Sequence, residues 1–499
     1  MILLIILSAL VFPAFLVRWW RWLAIVQQKE YRLDRIKAFL HSDEGKHELL
    51  RILPQLQDFS RTGLKRPKPT ARVLLIGLLN VITLTSQFSV SIFNAINPGD
   101  AMPSLLVWGT GIVASYLILP ISIILDSTPS MLISFLATWR VLRKAKQKMN
   151  AKQPKIIGIG GSYGKTSTKH LLHHFLSQKF SVFVTPKSFN NKLSVAQSIV
   201  NGYQDQEVAL LEYGAYIRGE IAQLSKWFPP SIAVETGYTP QHLSLFGSRE
   251  NSILAESELI AALPENGVVY CNGADPGAVE IAQTGAQKNH VKIVMYSGAD
   301  SRLSLEHVTL SPLGHLQAKW NGKSLKTQLI GKQYLVNLQA AMLIAQEMGM
   351  SEAEICAAAE SFQPNASFIE GLTLTNDAYL IDDGGTSNPM GFSAALELLS
   401  ELPFQRKILV TAGMIDLGKE SRQIHFQLAK RAKELGITVI HVGIDGRDEF
   451  REVYAEELVT QVQAAEVLLT HSDKNVVILI EGKLPKVLEL KVSALKVGT

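Results

Sequence analysis

A glycine-rich segment that carries a lysine and several hydroxyl groups, GIGGSYGKTST at residues 158–168, has the composition of a phosphate-binding loop. It follows the apolar run KIIGIG and opens a helical pattern, a context in which backbone N–H groups close around phosphate oxygens at the helix N-terminus. We expect Lys165 to bridge the terminal phosphates of ATP and the Thr166 hydroxyl to ligate Mg²⁺. The predicted nucleotide-binding residues of the loop are Gly161, Ser162, Gly164, Lys165, Thr166 and Ser167.

The loop is shorter than the commonest phosphate-binding loop, because Ile159 stands where that loop has its first glycine. A chance glycine-rich turn is the alternative interpretation. The apolar strand before the loop and the GKTST run that opens the helix favour the nucleotide site.

Seven further segments make residues 155–499 resemble the Mur ligase family, which uses the short G-x-x-G-K-T loop found here at 161–166. They stand in the family's order and at similar spacing. The segments are TPKSFNNKLSV (185–195), EYGAYIRGEIAQL (212–224), TGYTPQHLSLFGS (236–248), NGADP (272–276), GKQYLVNLQAA (331–341), IDDGGTSNP (381–389) and AGMIDLGKES (412–421).

The resemblance implies an enzyme that uses ATP and Mg²⁺ to join a carboxylate to an amine. In this family a substrate carboxylate attacks the γ-phosphate of ATP and becomes an acyl phosphate. An amine then displaces phosphate, and the products are an amide, ADP and phosphate. Lys165 and Mg²⁺ would neutralise the charge that develops when two anions meet.

The resemblance also implies roles for single residues outside the loop. Lys165, Glu212 and His242 would be catalytic. Thr166 and Glu212 would bind the Mg²⁺ on the nucleotide side, and His242 would bind a second metal ion. Substrate would meet Asn190, Asn191 and Asn388, while Asn337 would meet the adenine and Asp383 the ribose.

Structural alternatives stay open for several of these residues. Glu212 could be a structural carboxylate, and His242 an ordinary loop histidine. Asn190 and Asn191 could cap a helix, since asparagine is a favoured capping residue. Asn337 could simply be exposed on its alanine-rich helix.

The sequence departs from the family in its C-terminal motifs, at 382–389, 412–418 and 481–483, and at three further places. Glu256, in Ala255–Glu258, replaces a lysine that the family carbamylates to ligate the second metal; Glu256 would bring a carboxylate directly, on a shorter side chain. Ser367 and Phe368 replace a Gly-Arg pair, which removes an arginine expected to neutralise phosphate. The family's N-terminal domain for the UDP-sugar is missing, and apolar segments stand in its place.

The remainder of the sequence from residue 155 alternates short β-rich runs with helical patterns, which predicts an α/β fold with parallel sheets. We expect a central P-loop, parallel-sheet ATPase domain over 151–365 and a C-terminal Rossmann-like α/β domain over 366–499. A small antiparallel insert is predicted at 302–330 and a helical pair at 334–348 and 351–361, and the break FQPNASF at 362–368 marks the boundary.

Residues 1–150 are predicted to be a helical membrane domain, with spans at about 2–20, 73–96 and 102–125. Residues 18–72 hold 13 Lys and Arg against 6 Asp and Glu, and residues 140–152 are basic, which favours a multi-pass protein of the bacterial cytoplasmic membrane with cytoplasmic catalytic domains. An interfacial helix is expected at about 129–145, beside anionic lipid headgroups. A solvated linker is the alternative for the basic run, and a cleaved signal peptide for residues 1–17.

Composition excludes several classes of protein. Only two cysteines, Cys271 and Cys356, are present, so the chain is not a disulfide scaffold. A net charge of +5 over 499 residues does not indicate a nucleic-acid partner.

Two functions are consistent with these observations. The favoured one is a membrane-anchored amide ligase of cell-wall or envelope precursor synthesis, which joins an amino acid or dipeptide amine to a muramyl-peptide, a lipid-linked precursor or a poly-amino-acid chain. The alternative is a catalytically impaired, ATP-binding scaffold of a membrane cell-envelope complex, because the lost arginine and the altered C-terminal motifs would weaken catalysis.

Overall fold

The computed structural model divides the chain into two compact units, residues 1–144 with 242–248 and residues 145–241 with 249–499. The structure describes residues 2–41, 43–51, 66–96, 104–239, 246, 248–287, 289–384, 388–414, 417, 420–460, 463, 466–467, 470, 472–486 and 488–489.

The first unit is helical. Its helices are α1 (Ile2–Gln28), α2 (Leu33–His41), α3 (Asp43–Leu50), α4 (Ala71–Ile96) and α5 (Ser104–Lys152), the last of which continues into the second unit. Ala71–Val90 and Trp108–Lys152 are long and apolar enough to cross a membrane, judged by length and composition. Each of these segments buries some apolar side chains, such as Ile76 and Leu119, and exposes others, such as Leu78 and Ile133.

The expected interfacial helix at 129–145 is not a separate element, because α5 runs without a break through Pro120 and Pro129. The sequence predicts a span that ends at about residue 125 and a separate helix that begins at about residue 129. In the structure the Asp126 carboxylate accepts hydrogen bonds from Asn80 Nδ2 (2.7 Å) and Thr83 Oγ1 (3.2 Å) of α4. These bonds provide the charged group with partners within the helix pair.

A six-stranded parallel sheet forms the first core of the second unit. Its order is β2-β3-β1-β4-β5-β6, which confirms the predicted parallel sheet. The strands are β1 (Lys155–Gly160), β2 (Val182–Val184), β3 (Val208–Glu212), β4 (Ile232–Glu235), β5 (Val268–Cys271) and β6 (Lys292–Met295). The connecting helices are α6 (Lys165–Leu176), α7 (Lys192–Gly202), α8 (Glu220–Trp227), α9 (Arg249–Glu256), α10 (Glu258–Ala261) and α11 (Pro276–Ala286).

The register of this sheet places two acidic residues beside the end of the first strand. Ile159 of β1 is paired with Glu212 of β3, and Gly160 of β1 is paired with Glu235 of β4. Because all three strands are parallel, their carboxyl ends meet at one edge. The glycine-rich loop therefore leaves the sheet between two glutamates.

An antiparallel sheet and a helical pair follow, as the sequence predicted. The strands are β7 (Glu306–Leu310), β8 (His315–Trp320) and β9 (Lys323–Ile330). A 3₁₀ turn (Lys332–Tyr334) leads into α12 (Leu335–Glu347) and α13 (Glu352–Ser361). Buried residues of α12 and α13 join the core of the six-stranded sheet.

A five-stranded sheet with order β10-β11-β14-β12-β13 forms the last part of the chain. Its strands are β10 (Glu370–Thr373), β11 (Tyr379–Asp383), β12 (Arg406–Thr411), β13 (Thr438–His441) and β14 (Val476–Glu481), and only β10 is antiparallel to its neighbour. The helices α14 (Pro389–Glu401), α15 (Ser421–Glu434) and α16 (Arg447–Tyr454) accompany it. The domain boundaries at residues 150 and 365 stay predictions.

Candidate active site

The glycine-rich loop adopts a conformation that leaves no room for side chains at two positions. Gly161 has φ +111°, and a Cβ there would lie 2.4 Å from Thr236 Oγ1 and 2.9 Å from Glu235 Oε1. Gly164 has φ +78° and begins α6, and a Cβ there would lie 3.0 Å from Asn337 Nδ2. Both backbone conformations favour glycine, so the loop can approach a ligand closely through its backbone.

Two further contacts fix the loop against the segment that follows β4. The Ser162 N–H donates to the Gly237 carbonyl (2.7 Å). The Thr236 hydroxyl lies 2.8 Å from the Gly160 carbonyl oxygen and 2.5 Å from that of Tyr163. The conformation of the loop therefore depends on contacts with the segment after β4 as well as on its own glycines.

The loop lysine and threonine lie at the start of α6, where sequence analysis expected them. The Lys165 ammonium donates to the carbonyl oxygens of Gly161 and Ser162, the latter at 3.4 Å. The Thr166 hydroxyl lies 3.1 Å from the Ser188 hydroxyl. Ser167 is half-buried on the same turn. All the predicted loop residues are therefore brought together.

Glu212, a predicted metal ligand, forms a buried ion pair with Lys169. The Lys169 Nζ atom lies 2.7 Å from Glu212 Oε1, and neither side chain is exposed. Lys169 also donates to the Lys187 carbonyl. Burial lowers the pKa of Lys169, while the Glu212 carboxylate raises it. Sequence analysis missed Lys169, although its position four residues after Lys165 places both amines on one face of α6.

Glu256 lies beside the loop together with a second carboxyl group that sequence analysis missed, that of Glu235. The two side chains are 6% and 0% exposed. Burial raises the pKa of both; the Glu256 carboxylate adds to the rise for Glu235, and the Lys165 ammonium opposes it for each. The backbone N–H of Gly161 donates to Glu256. The sequence does hold a signal for Glu235, because it is a charged residue directly after the apolar residues IAV of a predicted strand.

Asn337 lies against the loop. Its Nδ2 donates to Thr168 Oγ1 (2.8 Å) and to the Gly164 carbonyl (3.3 Å). Asn337 is only 7% exposed, so the alternative that it is simply exposed on its helix is wrong. In this position Asn337 fixes α12 to the first turn of α6.

The two asparagines of the FNN segment have different surroundings. Asn191 caps α7, because its Oδ1 accepts a hydrogen bond from the Ser194 N–H (3.0 Å), as the capping alternative expected. Asn190 is half-buried beside Gly214, where a Cβ would lie 2.6 Å from Asn190 Nδ2. Their substrate contacts stay predictions.

In the last sheet, Asp383 ends β11 opposite Glu481 of β14. Burial raises the pKa of Asp383, a hydrogen bond with Glu481 lowers it, and the Asp382 charge raises it. Asn388 caps α14 and accepts from the Gly391 N–H (2.9 Å). Its place beside substrate and that of Asp383 beside the ribose stay predictions.

Phe368, which replaces the arginine of the family pattern, is 5% exposed in an aromatic cluster. Its ring centroid lies 5.1 Å from that of Tyr334, 5.2 Å from Phe362 and 6.5 Å from His170. The position contributes apolar packing and no positive charge. His242, the remaining predicted site residue, lies outside the described residues.

The residues around the loop fit a nucleotide and a divalent cation. Gly161 and Gly164 adopt left-handed conformations that let the loop backbone turn towards a phosphate, and hydroxyl and carboxylate oxygens are ligands that Mg²⁺ prefers. Within the described part of the chain, no group of three or more His, Cys, Asp or Glu side chains forms a metal cluster. Any cation bound here would therefore depend on one or two carboxylates together with phosphate oxygens.

Comparison with known proteins identifies the central part of the chain. Residues 159–345 match the Mur ligase middle domain. A UDP-N-acetylmuramoyl-tripeptide–D-alanyl-D-alanine ligase of Mycobacterium bovis is 30% identical over 301 residues, which are 58% of this chain and 59% of the relative. The ligase of the same name from Escherichia coli is 27% identical over 353 residues, 68% of this chain and 77% of the relative.

Solved structures share the fold. MurF from Acinetobacter baumannii has a TM-score of 0.62 at 24% identity and covers 72% of this chain and 80% of its own. MurF from Thermotoga maritima in complex with ADP has a TM-score of 0.60 at 23% identity and covers 72% and 83%. This chain spans about three fifths of the length of the first of the curated relatives. Residues 159–345 therefore match the Mur ligase middle domain, and the chain is similar to the Mur ligases over about three fifths of its length.

Proposed function

We propose that this protein is an ATP-dependent carboxylate–amine ligase anchored in the bacterial cytoplasmic membrane. The observation that carries the proposal is the glycine-rich loop, which leaves β1 between Glu212 and Glu235 with Lys165 at its end. A backbone cradle, one cation and flanking carboxylates are what binding of a nucleotide triphosphate with a divalent cation requires.

The residues of the loop have distinct tasks in this reaction. Backbone N–H groups at the end of the loop, from Tyr163 to Lys165, hold the phosphates, because those of Gly161 and Ser162 donate to Glu256 and to the Gly237 carbonyl. The Lys165 ammonium exchanges its loop carbonyl partners for phosphate oxygens. Asn337 and Thr236 keep the loop in its binding shape. Thr166 and Glu212 would hold a Mg²⁺ on the nucleotide side, and Glu256 would hold a second cation together with His242, as the family resemblance implies. Such cations would supply positive charge where the phosphate and the substrate carboxylate meet.

The carboxylate and the amine come from the cell envelope. The curated relatives are named for a UDP-N-acetylmuramoyl-tripeptide and D-alanyl-D-alanine. We propose a muramyl-peptide, a lipid-linked precursor or a poly-amino-acid chain as the carboxylate substrate, and an amino acid or dipeptide as the amine. A lipid-linked substrate suits an anchored enzyme, since both partners are then concentrated at one surface.

The N-terminal helices support the membrane anchor. Ala71–Val90 and Trp108–Lys152 have the length and apolar composition of membrane spans, and their outward-facing apolar side chains would contact lipid. The basic residues at 18–72 and 140–152 place the second unit in the cytoplasm by the positive-inside rule. Extraction of membranes at alkaline pH tests the anchor, and recovery of the full chain in the soluble fraction would contradict it.

Acceptor-dependent release of ADP from the full chain in lipid vesicles tests the ligase. We expect release to rise with one of the three carboxylate classes in the presence of an amine, and to be lost in Lys165→Ala. Lys319→Ala, an exposed lysine of β8, is the matched control and should retain activity. Retention of ATP without any acceptor-dependent release would contradict the ligase and favour the scaffold.

A further inference from the structure

Glu235 is a buried carboxyl group that flanks the loop and has been given no ligand of its own so far. It ends β4 beside Gly160 of β1, and its side chain is fully buried. The Gly237 N–H interacts with this carboxyl group, but within the part of the chain that the structure describes neither of its oxygens has a hydrogen bond of good geometry. Leaving a buried carboxylate in this state is costly, so the group requires a proton or a cation.

A second carboxyl group with an unused oxygen lies at the same point of the loop. Glu256 accepts the Gly161 N–H, while its Oε2 has no hydrogen-bond partner among the described residues. A Cβ at Gly161 would lie 2.9 Å from Glu235 Oε1. Both carboxyl groups therefore meet at Gly161, in the loop that holds the phosphates.

The other acidic groups nearby are already committed to hydrogen bonds. Asp275 accepts from the Tyr163 hydroxyl (2.6 Å) and from the Tyr238 N–H (2.9 Å), and it caps α11. Glu258 accepts from the Gly219 N–H (2.7 Å) and the Ala222 N–H (2.9 Å). Glu212 is paired with Lys169. Glu235 and Glu256 differ from these neighbours, because each has at least one oxygen with neither a hydrogen-bond partner nor a paired cation among the described residues.

We infer that Glu235 and Glu256 together form a two-carboxylate site for the second divalent cation of this enzyme. The inference rests on the proposed nucleotide site. Mg²⁺ is commonly held by one or two carboxylates together with substrate phosphates, which is the ligand set available at Gly161. A glutamate side chain is shorter than a carbamylated lysine. Glu256 of α9 would therefore need Glu235 of β4 to supply further oxygens to the cation.

This arrangement has a chemical consequence. A carbamate forms only when carbon dioxide adds to an amine, whereas a glutamate carries its carboxylate permanently. Cation binding at Glu235 and Glu256 is therefore independent of bicarbonate. The Lys165 ammonium, which faces both carboxylates, is freed for the phosphates once a cation neutralises them.

Counting bound Mn²⁺ on the full chain in detergent tests the site. Mn²⁺ replaces Mg²⁺, and electron paramagnetic resonance measures the free ion in the presence of a non-hydrolysable ATP analogue. We expect the unchanged chain to bind two Mn²⁺, and Glu235→Gln and Glu256→Gln to bind one each while still retaining the analogue. Depletion of bicarbonate should leave all three counts unchanged.

Glu258→Gln is the matched control, because it makes the same change two residues after Glu256 and should still bind two Mn²⁺. Glu235→Asp retains the charge but shortens the side chain by one methylene. We expect the affinity for the second Mn²⁺ to fall at least tenfold and the affinity for the first to stay unchanged. Two equally tight Mn²⁺ in Glu235→Gln or Glu235→Asp would overturn the site and leave a carboxyl pair that shares a proton. Failure of the unchanged chain to retain the analogue with Mn²⁺ would overturn the proposed function as well, so the two failures are distinguishable.

Discussion

Lys169 and Glu212 form an ion pair of 2.7 Å in which neither side chain is exposed to solvent. Lys169 lies one helical turn after Lys165, so α6 directs one ammonium group to the loop and the next to β3. The first helix after the loop is thereby fixed to the strand that carries a predicted metal ligand. The position of Glu212 depends on this pair.

Breaking the pair should destabilise the second unit strongly. Lys169→Met leaves a buried carboxylate without its cation, and we expect the free energy of unfolding to fall by about 3–5 kcal/mol. Thermal and denaturant unfolding of the full chain in detergent, followed by circular dichroism, would measure the loss. The exposed pair of Arg249 and Glu280 is the control, because its side chains are 45% and 46% exposed and Arg249→Met should cost less than about 1 kcal/mol. Equal losses for the two variants would contradict a structural role for the buried pair.

Local patterns in the sequence were sufficient to predict the glycine-rich loop and the parallel sheet. The loop follows a strand and precedes a helix, and the strand runs are apolar and short, so both signals lie within a few residues of each other. The predicted antiparallel insert and helical pair were equally local, and the structure contains both.

Long-range contacts at the site could not be predicted from local patterns. Glu235 reaches the loop because β4 pairs with β1 in one particular register, and Asn337 reaches it from 173 residues away in the sequence. Asp126 of α5 accepts hydrogen bonds from Asn80 and Thr83 of α4, more than 40 residues earlier in the sequence, which hydropathy does not reveal. In each case the contact depends on a residue far away in the sequence, which a local pattern does not reveal.

Asn337 should act on the loop rather than on the choice of base. Its amide contacts Thr168 and the Gly164 carbonyl, so Asn337→Ala removes a support of the first turn of α6. We expect affinity for ATP, GTP and inorganic triphosphate to fall together by about tenfold, or about 1.4 kcal/mol. Equilibrium dialysis with the three ligands measures this. A loss confined to ATP would instead place Asn337 at the adenine, as the family resemblance implies.

Gly161 should tolerate no side chain. Gly161→Ala places a methyl group 2.4 Å from Thr236 Oγ1 and 2.9 Å from the Gly237 carbonyl oxygen, at φ +111°. We expect loss of nucleotide binding and a stability cost above about 2 kcal/mol, since backbone strain and steric overlap add. Gly322→Ala is the control, because Gly322 has φ +77° with no heavy atom within 4 Å and should cost only about 1 kcal/mol. Similar costs at the two glycines would contradict close packing of the loop.

His170 should make the fold sensitive to acid. Burial, with the nearby charges of Lys169 and His173, lowers the pKa of His170 to about 4, below its ordinary value of 6.5. Because the folded chain holds His170 neutral beside Phe368, the stability it contributes is complete above the unfolded pKa and is lost as the pH falls towards 4. Between about pH 7.5 and about pH 4.5 we expect His170 to account for a loss of about 2 kcal/mol. His170→Phe removes the titrating group from the aromatic cluster, so the stability difference between this variant and the unchanged chain should grow in the variant's favour on acidification. A difference that does not change with pH would show that His170 is not held neutral by its surroundings.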